Sequence, residues 1–136
     1  MVHGGPATWT AHKQTTVAHS LTDAEYMALL DASLEAITRI QFFQELNIPS
    51  ASILILADSQ TAIDIANGTA INYTKAKHID IKYHAIGHYI QEEKVLVSHI
   101  PGSDNIAHLF TKALTPQTHR RFVDCMGIRN IQDILE

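Results

Sequence analysis

Two acidic side chains stand where carboxylate chemistry is expected. Asp58 directly follows the apolar run "SILILA" at 52–57, and Glu25 lies near the start of a long predicted helix that opens with "TDAE". Two carboxylates that converge at such a place can bind Mg²⁺, and a second ion about 4 Å away would give a two-metal site for phosphodiester cleavage. The alternative is a structural role in capping helices, which spacing alone favours.

The nine histidines and a small group of lysines are further candidates. His84 and His88 are four residues apart on a predicted helix, but no HExxH motif and no cysteine partner accompany them, which argues against zinc. A basic patch could either be a solvated face or contact a nucleic-acid backbone. Its members are Lys75, Lys77, His78 and Lys82.

The elements that position these side chains follow from the hydrophobic pattern. Two short strands are predicted within 3–20, and a helix begins at the N-cap Thr22, where Glu25 closes a capping box. The run 52–57 indicates a strand buried on both faces. The remaining pattern predicts a short helix ending at Gly68, a helix around 79–90, the strand "VLVSHI", a helix containing His108 and a last helix opened by Pro116.

This order of strands and helices predicts an α/β fold with one mixed sheet, formed as a single domain over residues 1–136. Open sheets of this kind place their sites at the C-terminal ends of strands, which is where Asp58 falls.

Composition narrows the class of protein. The hydrophobic content of 46% is that of an ordinary globular protein. The net charge of −4 argues against a generic DNA-binding or membrane-binding surface. The single cysteine, Cys125, excludes an internal disulfide and is predicted to be a buried, inert thiol. Neither a signal peptide nor an apolar run of about 20 residues is present, so we expect an intracellular protein of the cytoplasm or nucleus, not a secreted one.

Four motifs occur in a characteristic order: "DAEYMAL" at 23–29, "ADSQTAI" at 57–63, "KHIDIKYH" at 77–84 and "FTKAL" at 110–114. Together with "GGPATWTAHKQ" at 4–14, they make the chain closely resemble the ribonuclease H (RNase H) domain of copia-type LTR-retrotransposon Pol polyproteins. The resemblance covers about 4–127 and leaves 128–136 as a C-terminal tail.

The resemblance implies an RNase H-like mixed sheet of five strands flanked by helices. Members of the family hydrolyse the RNA strand of RNA–DNA hybrids with four acidic residues and two Mg²⁺ ions. The motif matches imply that Glu25 is the second of these acids and Asp58 the third.

Two departures from the family pattern affect the other two acids. The family's first Asp lies on a central opening strand upstream of the "GG…W" region, and this chain begins at Met1 just before that region. We therefore expect that strand and its Asp to be absent. The gap could be filled by rearrangement, by strand exchange with a second copy or by a partner fragment.

The fourth acid is replaced, since "IAHLFTK" places His108 at its position. Imidazole nitrogen is a poor ligand for Mg²⁺, although Mn²⁺ tolerates it better. Asp104, four residues earlier, is either a partial substitute on the same helical face or a helix-start residue, and the second role is favoured.

We therefore expect a retrotransposon-derived RNase H-like domain whose nuclease activity and Mg²⁺ or Mn²⁺ binding are weak or absent. It would keep weak binding of an RNA–DNA hybrid or another nucleic acid. Two alternatives stay open: an active RNase H completed by a partner or an upstream segment, and a non-catalytic interaction module or homodimer that associates through the missing-strand gap.

Overall fold

The computed structural model of the chain describes residues 6, 8–11, 20–69 and 80–129, with only the backbone of 80–85. It divides into two compact units. We call Thr16–Pro101 the central unit and Met1–Thr15 with Gly102–Glu136 the terminal unit. The assignment of one domain over the whole chain stays a prediction.

The central unit opens with a long helix, α1, over Leu21–Glu45. Ser20 is its N-cap, because the Ser20 side-chain oxygen accepts a hydrogen bond of 3.1 Å from the backbone N–H of Asp23. The predicted N-cap at Thr22 is therefore wrong by two residues, since Ser20 already satisfies a first-turn amide and Thr22 is helical. The helix ends as predicted before Pro49, with Asn47 in the left-handed region at φ 54°.

Among the described residues of the central unit, two parallel strands form a sheet. These are β1, Ile53–Ala57, and β2, Val95–His99, paired in register with Ile55 opposite Val97. The predicted α/β class is thus confirmed, and the described strands form a parallel sheet. Of the two strands predicted within 3–20, residues 8–11 form no strand, because β-propensity alone does not supply a pairing partner. Residues 12–19 lie outside the described part of the chain.

The two faces of this sheet differ sharply in burial. Ile55 and Val97 point inward against the hydrophobic core formed with the helices. Leu54, Leu56 and Leu96 point outward and are 55%, 49% and 46% exposed. The prediction that β1 is buried on both faces is therefore wrong, since the core that α1 and the crossover helices contribute lies on the Ile55 face.

The described parts of the crossover from β1 to β2 form two helices, α2 over Gln60–Ala66 and α3 over Asp80–Gln91. Both pack against α1. Gly68, at φ 71°, closes α2 in the left-handed conformation, as the sequence predicted. The core shared by the three helices consists of Tyr26, Leu29, Leu30, Ala62, Ile65, Ala66 and Ile86.

In the terminal unit, a short 3₁₀ helix over Ile106–Phe110 carries His108. The predicted helix at this place is thus confirmed as an element, but it is a single tight 3₁₀ segment. The last helix, α4, spans Pro116–Cys125 and begins with proline at its first position, as predicted.

The prediction of a buried thiol in the terminal unit is wrong, because Cys125 is exposed. The buried side chains of this segment are Phe122 and Met126, four residues apart, and Cys125 is the last residue of α4. The apolar neighbours of Cys125 in the sequence therefore do not cover it. Among the described helices, none combines the length and the apolar character needed to cross a membrane.

Candidate functional site

Asp58 lies at the C-terminal end of β1, at the carboxyl edge of the parallel sheet. The next residue, Ser59, is the N-cap of α2, and its side-chain oxygen accepts a hydrogen bond of 3.3 Å from Ala62 N–H. The capping role that would have explained Asp58 structurally therefore belongs to Ser59. Asp58 itself is half-buried.

Glu25 lies on α1 beyond its first turn, where Asp23 is the acidic residue. Because Ser20 and Asp23 form the start of the helix, Glu25 takes no part in the cap that the sequence assigned to it. Glu25 is half-buried and precedes Tyr26, one of the most deeply buried side chains of the core.

The packing of α1 on α2 brings the segments of both acids to the same part of the central unit. Tyr26, next to Glu25, belongs to the same hydrophobic cluster as Ala62, which lies in the first turn of α2 just after Asp58. Within the residues that the structure describes, no group of three or more His, Cys, Asp or Glu side chains is arranged to hold a metal ion. Mg²⁺ is commonly bound in proteins by one or two carboxylates together with water and substrate phosphates. The binding of Mg²⁺ or Mn²⁺ by Glu25 and Asp58 stays a prediction.

His108 contacts a lysine four residues later, just beyond the end of the 3₁₀ helix. Its Nε2 lies 2.7 Å from Lys112 Nζ. An ammonium group can only donate, so Nε2 is the acceptor in this contact. The ring nitrogen that faces Lys112 is thus engaged, and a positive charge stands beside it.

Asp104 lies in the turn before the 3₁₀ helix and is exposed. Its carboxylate forms an ion pair of 3.2 Å with Arg121, which also donates to the backbone carbonyl of Ser103. Asn105 is the N-cap of the 3₁₀ helix, its side chain accepting from Ala107 N–H at 3.1 Å. Asp104 therefore neither caps this helix nor shares a helical face with His108, because the helix begins only at Ile106.

The basic patch lies largely outside the described residues. Lys75, Lys77 and His78 are not described, and Lys82 is described only through its backbone in α3. Its contact with a nucleic-acid backbone stays a prediction.

His88, considered above with His84 for zinc, has a partner of another kind at the end of α3. Its Nε2 is 3.2 Å from Glu92 Oε1, and Lys94 Nζ is 2.6 Å from Glu92 Oε2. The hydrogen bond from Lys94 lowers the pKa of Glu92 below its usual value, and the nearby His88 adds to this effect.

Sequence reasoning missed two polar residues near these positions. Lys112 belongs to the motif "FTKAL", and its spacing of four residues from His108 is the signal for the contact between the two side chains. His99 ends β2 opposite Ala57, and hence at the same sheet edge as Asp58. Its signal was its place at the end of a predicted strand.

Known proteins similar to this chain share one description. The chain is 34% identical over 111 residues to the retrovirus-related Pol polyprotein from transposon TNT 1-94 of Nicotiana tabacum, a match that covers 82% of this chain and 8% of that protein. It is 25% identical over 126 residues to the Pol polyprotein from transposon RE1 of Arabidopsis thaliana, covering 93% of this chain and 9% of the relative. The Pol polyprotein from transposon RE2 of the same plant is 25% identical over 123 residues, with 90% and 8% covered.

The chain thus spans less than a tenth of the length of these relatives. No protein-family model matches it, and no solved structure does. The homologues of this chain are retrotransposon Pol polyproteins.

Proposed function

We propose that this chain is an RNase H-like domain of retrotransposon Pol origin with impaired catalysis. The activity of the family it resembles is hydrolysis of the RNA strand of RNA–DNA hybrids with two Mg²⁺ ions. Glu25 and Asp58 would supply two of the metal ligands. The observation that carries the proposal is that both acids lie at positions whose capping roles are filled by neighbouring residues.

The helix starts support this assignment because they give the capping role to other residues. An acid next to a helix start is ordinarily accounted for by capping or by the helix dipole. In α1 that role belongs to Ser20 and Asp23, and in α2 it belongs to Ser59. Both carboxylates are half-buried, and Asp58 lies at the carboxyl edge of a parallel sheet, where open sheets place their sites.

His108 is the reason to expect impaired catalysis. Mg²⁺ chemistry at that position would need a negatively charged oxygen ligand, whereas His108 offers an imidazole nitrogen and has the Lys112 ammonium 2.7 Å away. A loss of about 3 kcal/mol in stabilising the transition state corresponds to a rate more than about a hundredfold lower.

A cleavage assay on three versions of the chain tests the proposal. These are the chain itself, His108→Asp, and His108→Asp joined to an opening strand of the family type that carries an acidic residue. We expect cleavage of a labelled RNA–DNA hybrid, with Mg²⁺ or Mn²⁺, only by the third version. In that version, Glu25→Gln and Asp58→Asn should each abolish cleavage.

Asp23→Asn is the matched control, because Asp23 is a carboxylate two residues before Glu25 on the same helix. It should leave the cleavage rate of the third version nearly unchanged. If the unmodified chain cleaves the hybrid and Glu25→Gln abolishes that cleavage, the proposal of impaired catalysis is overturned. A folded third version that never cleaves would overturn the assignment to RNase H.

A second candidate function, a non-catalytic module that pairs with a second copy of itself, is favoured by the exposed sheet face. Leu54, Leu56 and Leu96 form an apolar outward surface on neighbouring strands. These leucines leave apolar surface in contact with water, and an identical surface on a second copy would cover it. The oligomeric state in solution tests this candidate.

A further inference from the structure

The pair formed by His108 and Lys112 places a fixed positive charge on the surface of the terminal unit. Lys112 is exposed and its ammonium is 2.7 Å from His108 Nε2. A lysine side chain on an exposed surface normally samples many conformations, and a hydrogen bond to a neighbouring ring reduces that freedom. The ammonium has three N–H donors, of which the imidazole takes one.

The charge of the surrounding segment has the opposite sign to that of the whole chain. Residues 102–129 contain four basic and two acidic side chains, a net charge of +2, whereas the chain carries −4. One of the two acids, Asp104, is paired with Arg121 at 3.2 Å. This segment is therefore the described part of the chain whose charge favours an anion.

We propose that Lys112, oriented by His108, binds a phosphate of a nucleic-acid backbone without a metal ion. The inference rests on the proposed function for the class of ligand, but not for any catalytic step. A bound Mg²⁺ attracts a phosphate by its charge, and here an ammonium group supplies positive charge directly. The proposed contact is independent of base sequence, because it is made to the backbone.

Fluorescence anisotropy with a labelled RNA–DNA hybrid in EDTA tests the contact. We expect the chain to bind under these conditions and Lys112→Gln to weaken binding about three- to tenfold at low salt. The slope of log K against log salt should fall by about one, the value for one lost phosphate contact. Lys112→Arg should retain binding, because it keeps the charge and the donors.

The matched control is Lys94→Gln, which removes another exposed lysine in a short contact, at 2.6 Å from Glu92. It should leave affinity and salt slope unchanged. His108→Asp should weaken binding in EDTA about as much as Lys112→Gln, because the new carboxylate would pair with Lys112 and neutralise it.

The inference is overturned if binding needs Mg²⁺, if no binding is seen, or if Lys112→Gln and Lys94→Gln behave alike. Its failure can be told apart from failure of the proposed function. If the strand-restored His108→Asp version cleaves the hybrid but Lys112→Gln binds it as tightly as the unmodified chain, the RNase H assignment stands. The phosphate contact of Lys112 is then rejected. If Lys112→Gln loses the binding seen in EDTA but the strand-restored His108→Asp version never cleaves, the phosphate contact stands. The nuclease assignment is then rejected.

Discussion

His108 shows how one neighbouring side chain limits what a histidine can do. As one of nine histidines, it carries little meaning, and the resemblance gives it the place of a metal-binding acid. The contact with Lys112 restricts metal binding by His108. The Nε2 lone pair that could ligate a metal instead accepts a hydrogen bond from the Lys112 ammonium. The imidazole nitrogen and the nearby ammonium both act against binding of Mg²⁺ at this position.

How far single residues can be predicted depends on how local their contacts are. The pairing of His108 with Lys112 follows from a spacing of four residues and was open to prediction. The partner of Asp104 is Arg121, seventeen residues away, and no local rule selects it. Asp104 was therefore misassigned. The assignments of Glu25 and Asp58 rest on the order of the motifs and stay predictions.

The start of α1 gives a prediction at the scale of single residues. Ser20→Ala removes the acceptor of the Asp23 N–H and should lower the free energy of unfolding by about 1 kcal/mol. Thr22→Ala, the same type of change at the position that sequence favoured, should cost much less, since Thr22 is inside the helix. Urea unfolding followed by circular dichroism measures both, and a larger effect at Thr22 would show that the cap is misplaced.

At the scale of elements, the pattern of β1 was misread for a definite reason. An unbroken run of Ile and Leu is typical of strands covered on both faces, but covering requires packed elements on each side. In the central unit, the core contributed by α1, α2 and α3 lies on the Ile55 face. Hydropathy reports how apolar a strand is and does not report which neighbours the fold supplies.

A pair of leucine substitutions tests this view of the central unit. Leu29 is 4% exposed in the core of α1, and Leu54 is 55% exposed on the outer face of β1. Leu29→Ala should lower the free energy of unfolding by about 2–5 kcal/mol through lost burial and a cavity. Leu54→Ala should cost less than about 1 kcal/mol, because it removes little buried surface. Equal costs in urea unfolding would mean that the outer face is covered in solution.

At the scale of the whole molecule, the α/β class was predictable because each strand and helix of the central unit has a strong local pattern. The parallel pairing of β1 with β2 follows from the crossover helices between them. The mixed sheet of the RNase H-like fold depends on strands predicted in a part of the chain that is largely undescribed. The described sheet presents Leu54, Leu56 and Leu96 together on its outer face.

That outer face predicts that two copies of the chain associate. If two copies cover each other through it, light scattering on an eluting sample should give the mass of a dimer, and Leu96→Lys should shift it to a monomer. Both copies contribute the same surface to a self-complementary interface, so one substitution appears in it twice. Leu34→Lys is the matched control, because Leu34 lies on α1 with a similar exposure of 44%, against 46% for Leu96. Self-association through the sheet is rejected if the dimer survives Leu96→Lys or if the unmodified chain is monomeric throughout. Either result would leave the impaired RNase H as the better account.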